Sequence, residues 1–427
     1  MMERAKSLLL FLLVAASLVQ SYFLAYNMPN MEAKEKTELD YVAADPLGPE
    51  EQVENLLFPE ELVVHMGGNK HTVFYPNDNF YNLVLDKLSM REFKGFQQDT
   101  IAAVDWDEVR QNDLGIEVRF GRAVPFELLQ KVFKIDSNFL FSADSISRIW
   151  IFARQDREEV RTFFFSADGR NVYEALRADL TVQDVQQCVG FGQYWIPFSY
   201  WNGGVYVPDE EKSVDSLEVS FSQYTPDQMQ RNLFNDPGTT QMIQDREDGT
   251  RIYTDTKRAL KIEQEPGWLS YTDPVAPTDS QNDLSDNIAS AVQFVNEHGG
   301  WNGRHRLVQS ETEAGGNVIR FQQYFKDLPI LSSGSFRFGY MQLAIQQGTV
   351  ASYERSMIVL DEMRSRVTAK TSLPGGEVLR TRLLQAAGGD VVEAIYPAYM
   401  PTPGEDVMRL KPVWAIRLLN GEVRMIG

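Results

Sequence analysis

The first residues to weigh for chemistry are the four histidines, His65, His71, His298 and His305. His65 and His71 flank Gly67-Gly68-Asn69, a turn signal, so a hairpin would let the two imidazoles approach each other. His298 and His305 flank Gly299-Gly300-Trp301. Neither pair has the H-E-x-x-H spacing that sets two ligands on one helix face. The expected reading is turn-exposed or capping histidines, and no metal site is expected. Cys188 is the single cysteine, which excludes an internal disulfide and any multi-cysteine metal site. It reads as a small buried apolar residue. Asp245-Arg246-Glu247-Asp248-Gly249 invites a calcium reading. An EF-hand loop needs glycine at its sixth position and glutamate at its twelfth, and Thr250 and Thr256 stand there. A hairpin turn is the expected role.

Other catalytic patterns are absent. There is no G-x-S-x-G elbow and no phosphate-binding Walker loop. Gly190-Phe191-Gly192 lacks the third glycine of a dinucleotide fingerprint and follows a predicted helix, not a strand. No cofactor is expected. Paired carboxylates for glycoside hydrolysis stay open, because 60 acidic residues make any pairing unspecific. The stretch 194–206 carries Tyr194, Trp195, Phe198, Tyr200, Trp201 and Tyr206. Such rings bind sugars or peptides, but their alternation suits a core.

The elements that would position any of these groups start at a membrane. Residues 7–26 read SLLLFLLVAASLVQSYFLAY and carry no charge. At about 1.5 Å per residue such a run spans roughly 30 Å of hydrocarbon. Arg4 and Lys6 precede it, which keeps the N-terminus cytoplasmic, and Tyr22 and Tyr26 stand near its far end. The run exceeds a signal-peptide core of about 7–15 residues, and no small-x-small cleavage site follows. An uncleaved single-pass anchor is expected, with the bulk of the chain extracytoplasmic. Ser17, Gln20 and Ser21 lie at i, i+3 and i+4 and so share one helix face. In lipid, polar side chains of this kind gain by facing a partner helix, roughly 0.6–2 kcal/mol each. Hydration at the outer interface is the alternative.

The chain has 427 residues and a formal net charge of −19; the tip before the anchor is net positive, so all of the negative excess lies after it, which excludes nucleic acid as a partner. Its 43% hydrophobic and 11% aromatic content is enough for packed cores. The fold class expected is α+β: one N-terminal transmembrane helix, then three extracytoplasmic α+β domains on mostly antiparallel sheets. The segments are a cytoplasmic tip (1–6), the transmembrane helix (7–26), a Pro-bearing tether (27–49), an N-terminal outer domain (50–178), a middle outer domain (179–272), a linker (273–283) and a C-terminal outer domain (284–427). Within them, Thr181 and Thr225-Pro226 predict helix starts. Ile288, Ala291, Val292 and Val295 predict the inner face of a helix over 284–297 that Gly299-Gly300 ends. Val378, Leu379, Leu383 and Leu384 are expected to point inward from a second helix after Pro374-Gly375-Gly376. The last unit reads as helix then strands, twice, which suggests related small modules.

Several patches, taken with this layout, resemble the YycH family of Gram-positive bacteria. They are the Met1-Met2-Glu3-Arg4-Ala5-Lys6 start, the span ending in Tyr26-Asn27-Met28-Pro29, Glu60-Glu61-Leu62-Val63-Val64-His65 with Tyr75-Pro76, and Pro412-Val413-Trp414-Ala415-Ile416 before a final hairpin. The resemblance covers essentially the whole chain. It implies three outer domains, no catalytic residues, and an accessory role on the WalK–WalR (YycG–YycF) two-component system, which controls cell-wall metabolism. The implied partners are a WalK/YycG-like sensor histidine kinase and a YycI-like single-span membrane protein. The sequence does not reveal the sign of regulation; negative regulation is the favoured reading. Two other classes stand beside it. One is an anchored binding module for wall polymer or peptide, built on Trp195, Tyr200 and Trp201. The other is an anchored cell-wall hydrolase.

Overall fold

Gly67 (φ 71°), Gly68 (φ 57°) and Asn69 (φ 58°) place three successive residues in the left-handed region, which folds the first two strands back on each other. The computed structural model describes residues 46–136, 145–154, 158–234, 236–265, 267–274, 283–313, 316–332, 334, 336–346 and 348–426, with Lys6, Leu13, Val14 and Ser17. The chain divides into Met1–Ala44 and Asp45–Gly427. In the first unit the four described residues are helical. No helix among the described residues is long and apolar enough to cross a membrane. Most of the predicted span at 7–26, Gln20 and Ser21 included, lies outside the described residues.

The second unit is α+β and holds three mostly antiparallel sheets. The first is ten-stranded and uses β1 (Glu61–Met66), β2 (His71–Phe74), β3 (Glu92–Thr100), β4 (Leu114–Pro125), β5 (Lys134–Ile135), β6 (Ser145–Arg154), β7 (Glu159–Ser166), β8 (Asn171–Ala178), β9 (Phe198–Tyr200) and β10 (Tyr206–Pro208). Their order is β10-β9-β2-β1-β4-β6-β7-β8-β3-β5, antiparallel except for β3 with β5. Helices α1 (Asn79–Ser89), α2 (Trp106–Asn112), α3 (Phe126–Val132) and α4 (Val182–Gly190) accompany it. Thr181 starts α4 through a reciprocal capping box with Asp184.

β11 (Lys212–Gln223) then opens a second sheet, and the chain leaves it through α5 (Pro226–Leu233). The third sheet follows: β12 (Gln241–Gln244), β13 (Arg251–Thr254), β14 (Ala259–Glu263) and β15 (Trp268–Thr272), then α6 (Leu284–Glu297), then β16 (Arg304–Glu313), β17 (Gly316–Phe325), β18 (Leu328–Pro329), β19 (Tyr340–Gln346) and β20 (Thr349–Ser356). It runs β12-β13-β14-β15-β20-β19-β17-β16, with β18 on β17. β21 (Ile358–Leu373) returns to the second sheet, followed by α7 (Gly376–Ala387), β22 (Val392–Pro403), β23 (Val407–Leu418) and β24 (Val423–Ile426). That sheet runs β21-β11-β23-β22, with β24 on β23.

The third sheet is therefore inserted between two neighbours of the second. The predicted middle segment, 179–272, supplies strands to all three sheets: β9 and β10, β11, and β12 to β15. β11 pairs with β21 along most of its length, a partner far downstream that local pattern does not indicate.

Helix α6 has the predicted bounds, and Ile288, Ala291, Val292 and Val295 are buried. Helix α7 departs from expectation. Leu379 and Leu383 are buried, but Val378 is 56% and Leu384 61% exposed. The inner face is set by Leu379, Leu383 and Ala387 at i, i+4 and i+8, and the other two flank it.

Candidate functional site

β1 alternates, and the alternation divides its residues between two environments. Leu62 and Val64 join Ile116 and Val118 of β4 and Ile149 and Ile151 of β6 in one apolar core. The opposite face carries charge. Register sets Glu61 beside Arg119, and Arg119 beside Arg148, in one row across three strands. Glu117 lies one row away, opposite Val63 and Trp150. His65 and His71 are register partners across the first hairpin.

These groups form one buried chain of hydrogen bonds. Arg119 donates from Nε to Glu117 Oε2 at 2.9 Å and from Nη1 to Glu61 Oε1 at 3.1 Å. The same Nη1 donates to the Gly204 carbonyl at 2.7 Å. Arg148 Nη1 donates to Glu117 Oε2 at 3.2 Å. His65 Nε2 lies 3.0 Å from Glu117 Oε1, and His65 Nδ1 lies 2.9 Å from His71 Nδ1. Burial holds the His65 pKa below its usual value, against the pull of Glu117, and burial with the neighbouring His65 takes His71 down to about 3. Both rings are neutral, which fixes the tautomers. His65 donates from Nε2 to the carboxylate, so its Nδ1 accepts from His71 Nδ1–H. His71 Nε2 is then unprotonated and lies 3.2 Å from Asn69 Oδ1, so a 180° turn of that amide would bring its Nδ2–H to the ring as donor.

Burial opposes ionisation of Glu117, but Arg119, His65 and Arg148 overcome it and hold the carboxyl well below the usual range. Glu61 goes the other way. Burial raises it, Arg119 pulls it down, and the nearby Glu60 and Glu117 charges raise it again, to about 7. Arg119 satisfies Glu117 first, and Glu61 holds its proton up to near neutrality.

Glu60 makes the second constellation, and it reaches all three sheets. Arg417 of β23 donates from Nη1 to Glu60 Oε1 at 2.7 Å and from Nη2 to Oε2 at 2.8 Å. Arg306 of β16 donates from Nη2 to Oε1 at 2.9 Å. Arg417 Nε also donates to Glu393 at 2.8 Å. Glu393 sits where the β22–β23 register shifts, so an irregularity in the ladder supplies that carboxylate. Burial raises Glu60, but Arg417 and Arg306 outweigh it and set the carboxyl at about 2. Gly121, at φ +71°, lies against the Glu60 carboxylate so closely that a Cβ there would collide with it.

A cleft of about 230 Å³ joins the two constellations, lined by Glu60, Glu61, Arg119, Arg148, Glu393 and Arg417 among others. Chemically it offers guanidinium donors and one carboxyl, that of Glu61, able to exchange a proton near neutrality.

The histidine expectation needs correction. His65, His71 and His305 are each 1% exposed, so the hairpin turns the first two into the protein, not toward solvent. His298 does cap α6. The 2.9 Å between His65 and His71 is a hydrogen bond between their nitrogens. No group of three or more His, Cys, Asp or Glu residues suited to a metal occurs among the described residues. Cys188 is buried and free. The aromatic stretch is largely committed to packing. Phe198 and Tyr206 are buried, Trp195 packs on Phe74 and Phe80, Trp201 packs against the second core, and Arg110 lies 3.8 Å over the Tyr200 ring. Tyr194 is exposed. Of the proposed partner-helix residues, Ser17 is helical and exposed, and Gln20 and Ser21 fall outside the described residues. Sequence reasoning missed Glu60, Arg306 and Arg417 as a site, since no local spacing links them.

The described body is thus a three-sheet α+β module whose polar centre is built from ion pairs. Two family models match it: "YycH protein, N-terminal domain" over residues 3–188, and "YycH protein, C-terminal domain" over residues 202–426. The chain belongs to the YycH family. Among solved structures, YycH from Bacillus subtilis superposes with a TM-score of 0.71 at 17% identity, covering 90% of this chain and 99% of that one. An uncharacterized protein from Eubacterium rectale matches with a TM-score of 0.36 at 10% identity, over 54% of this chain and 88% of that one. The Bacillus megaterium YpeB C-terminal domain matches with a TM-score of 0.27 at 14% identity, over 48% of this chain and 99% of that one. No curated protein matches the chain.

Proposed function

We propose that this chain is a membrane-anchored, non-enzymatic regulator. It binds a WalK/YycG-like sensor histidine kinase together with a YycI-like membrane protein, and modulates the kinase and through it cell-wall metabolism. The observation that carries the reading is the pair of YycH family matches, which together account for most of the chain from residue 3 to residue 426. Consistent with it, the buried carboxylates Glu60 and Glu117 are tied to guanidiniums. The anchor rests on the uncharged run at 7–26 and the basic residues before it. A kinase with two signalling states responds only to a partner whose affinity differs between them. The outer body would select the partner, and the polar face of Ser17, Gln20 and Ser21 would bias packing of the kinase's spans. Inhibition is the sign we propose.

The test is recovery of the tagged full-length protein from its own membranes, with mass spectrometry of what accompanies it. A WalK-like kinase and a YycI-like protein are expected. Recovery of neither, in a mild detergent that preserves other membrane complexes, would overturn the reading.

A further inference from the structure

A second cavity, about 80 Å³, is also lined by Glu60, where strands of all three sheets meet. Arg122 of β4, Arg306 of β16, Arg320 of β17 and Arg417 of β23 line it, with Tyr324 and Tyr396. We propose that this cavity is a binding site for a compact oxyanion, a phosphate- or carboxylate-bearing group, held by Arg306, Arg320 and Arg122.

The guanidinium donors around Glu60 divide into those that are used and those that are not. Arg417 spends Nε on Glu393 and both Nη atoms on Glu60. Arg306 is just as deeply placed, at 3% exposure, yet gives Glu60 a single bond from Nη2. Its Nε and Nη1 are buried and have no acceptor among the described residues, and the same holds for Nε of Arg320. A buried charged donor is destabilising until an acceptor meets it, so three such donor nitrogens on residues lining one cavity call for an acceptor-only partner.

Charge points the same way. Four guanidiniums surround the cavity, against the carboxylates of Glu60 and, on Arg417, Glu393. This local excess of positive charge stands in a protein of net charge −19. A concave basic site of that kind concentrates anions from solution. Planar guanidinium forks match the paired oxygens of carboxylate and phosphate. Burial keeps the Tyr324 hydroxyl protonated, against the pull of Arg306, with its pKa at about 12, so it stands in the lining as a neutral donor. The volume suits a few waters or one small oxyanion, at about 30 Å³ per water. Half-exposed Arg122 and exposed Val423 mark the outer rim. Because the lining comes from all three sheets, an anion there would fasten them to one another. The inference does not depend on the kinase reading.

The probes are inorganic phosphate and acetate, each titrated into the full-length protein in detergent against chloride at matched ionic strength, with calorimetry and thermal unfolding as readouts. Arg306 is left intact because it also holds Glu60. Arg320→Gln and Arg122→Gln remove donors that Glu60 does not use. The expected result is a saturable heat and a saturable rise in Tm, with affinity at least tenfold weaker in Arg320→Gln and weakened again in Arg122→Gln. Tighter binding of phosphate identifies a phosphoryl ligand, and tighter binding of acetate a carboxylate. A rise in Tm that grows without saturating and is equal in all three proteins is a general salt effect. With no saturable heat, it would mean that the cavity holds water only, and the proposal fails.

Discussion

Glu60 and Arg417 stand 357 residues apart in sequence and meet in a two-point contact, Nη1 to Oε1 at 2.7 Å and Nη2 to Oε2 at 2.8 Å. Arg306 shares the same carboxylate, so one side chain ties the first sheet to the second and the third. Removing one partner of a buried pair leaves a charge without compensation, at a cost of about 3–5 kcal/mol. Glu60→Gln keeps the shape but strands two guanidiniums, and it should lower unfolding free energy by that order in urea titration. Arg417→Met should do the same. A loss below about 1 kcal/mol for both would show that the hub does not hold the sheets together.

Glu61 gives the protein an opposite pH dependence from Glu60. Its carboxyl rises from 4.5 to about 7 on folding. Between those values the folded state keeps a proton that the unfolded state has lost, so stability is full below about 4.5 and declines as pH rises through 7. The displacement corresponds to roughly 3 kcal/mol. Glu61→Gln cannot titrate. Urea unfolding from pH 5 to 8 should show the native protein losing stability relative to the variant as pH rises. Contributions from His65 and His71 are common to both proteins and cancel in the difference. Parallel curves would mean that Glu61 is ionised throughout.

Local chemistry was legible where the information is local. The bounds of α6 followed from four apolar residues on one face and from Gly299-Gly300, and the start of α4 from Thr181. The first hairpin followed from Gly67-Gly68-Asn69. Strand β3 went unread because its pattern is largely exposed and shows little apolar alternation. The insertion of the third sheet into the second went unread because β11 and β21 are paired by contacts absent from either segment alone. The Glu60 hub escaped for the same reason: Arg306 is 246 residues away, and an arginine destined for a buried pair looks in sequence like one destined for solvent.

The two faces of α7 make a direct comparison. Leu379 and Leu383 are fully buried against the second sheet's core. Truncating either to Ala removes buried methyl groups and leaves a cavity, which costs about 2–5 kcal/mol. Leu384→Ala and Val378→Ala should change stability by no more than about 0.5 kcal/mol. Thermal unfolding of the four single variants checks this. A large loss from Leu384→Ala would place the inner face where the sequence pattern first suggested.

The segment just after the predicted tether is held by one side chain. Asn296 accepts from the Glu51 amide at 3.0 Å and donates to the Glu51 carbonyl at 2.9 Å, while its Oδ1 also takes the Trp301 indole N–H at 2.8 Å. The Trp301 backbone N–H donates to the Pro49 carbonyl at 3.0 Å. Asn296→Ala should free the Glu51 amide and leave the buried indole N–H unmatched, at about 1–3 kcal/mol. Hydrogen exchange should report it as lost protection at Glu51, with the amides of β17 and β19 unchanged. Protection retained at Glu51 would mean that the segment is held by other contacts.

Gln20 bears most directly on the proposed regulation. It shares a predicted helix face with Ser17 and Ser21, and a polar side chain in lipid is worth about 0.6–2 kcal/mol when it meets a partner helix. Losing that contact by Gln20→Leu would lower the affinity of a membrane complex by roughly threefold to thirtyfold. It would leave the body of residues 46–426 untouched, so unfolding of that body serves as the control. Co-purification of the kinase should fall by that factor, and a reporter of the two-component system should move in proportion. If hydration at the membrane interface is all that Gln20 requires, both readouts stay at the native level, and the folded body alone would carry recognition.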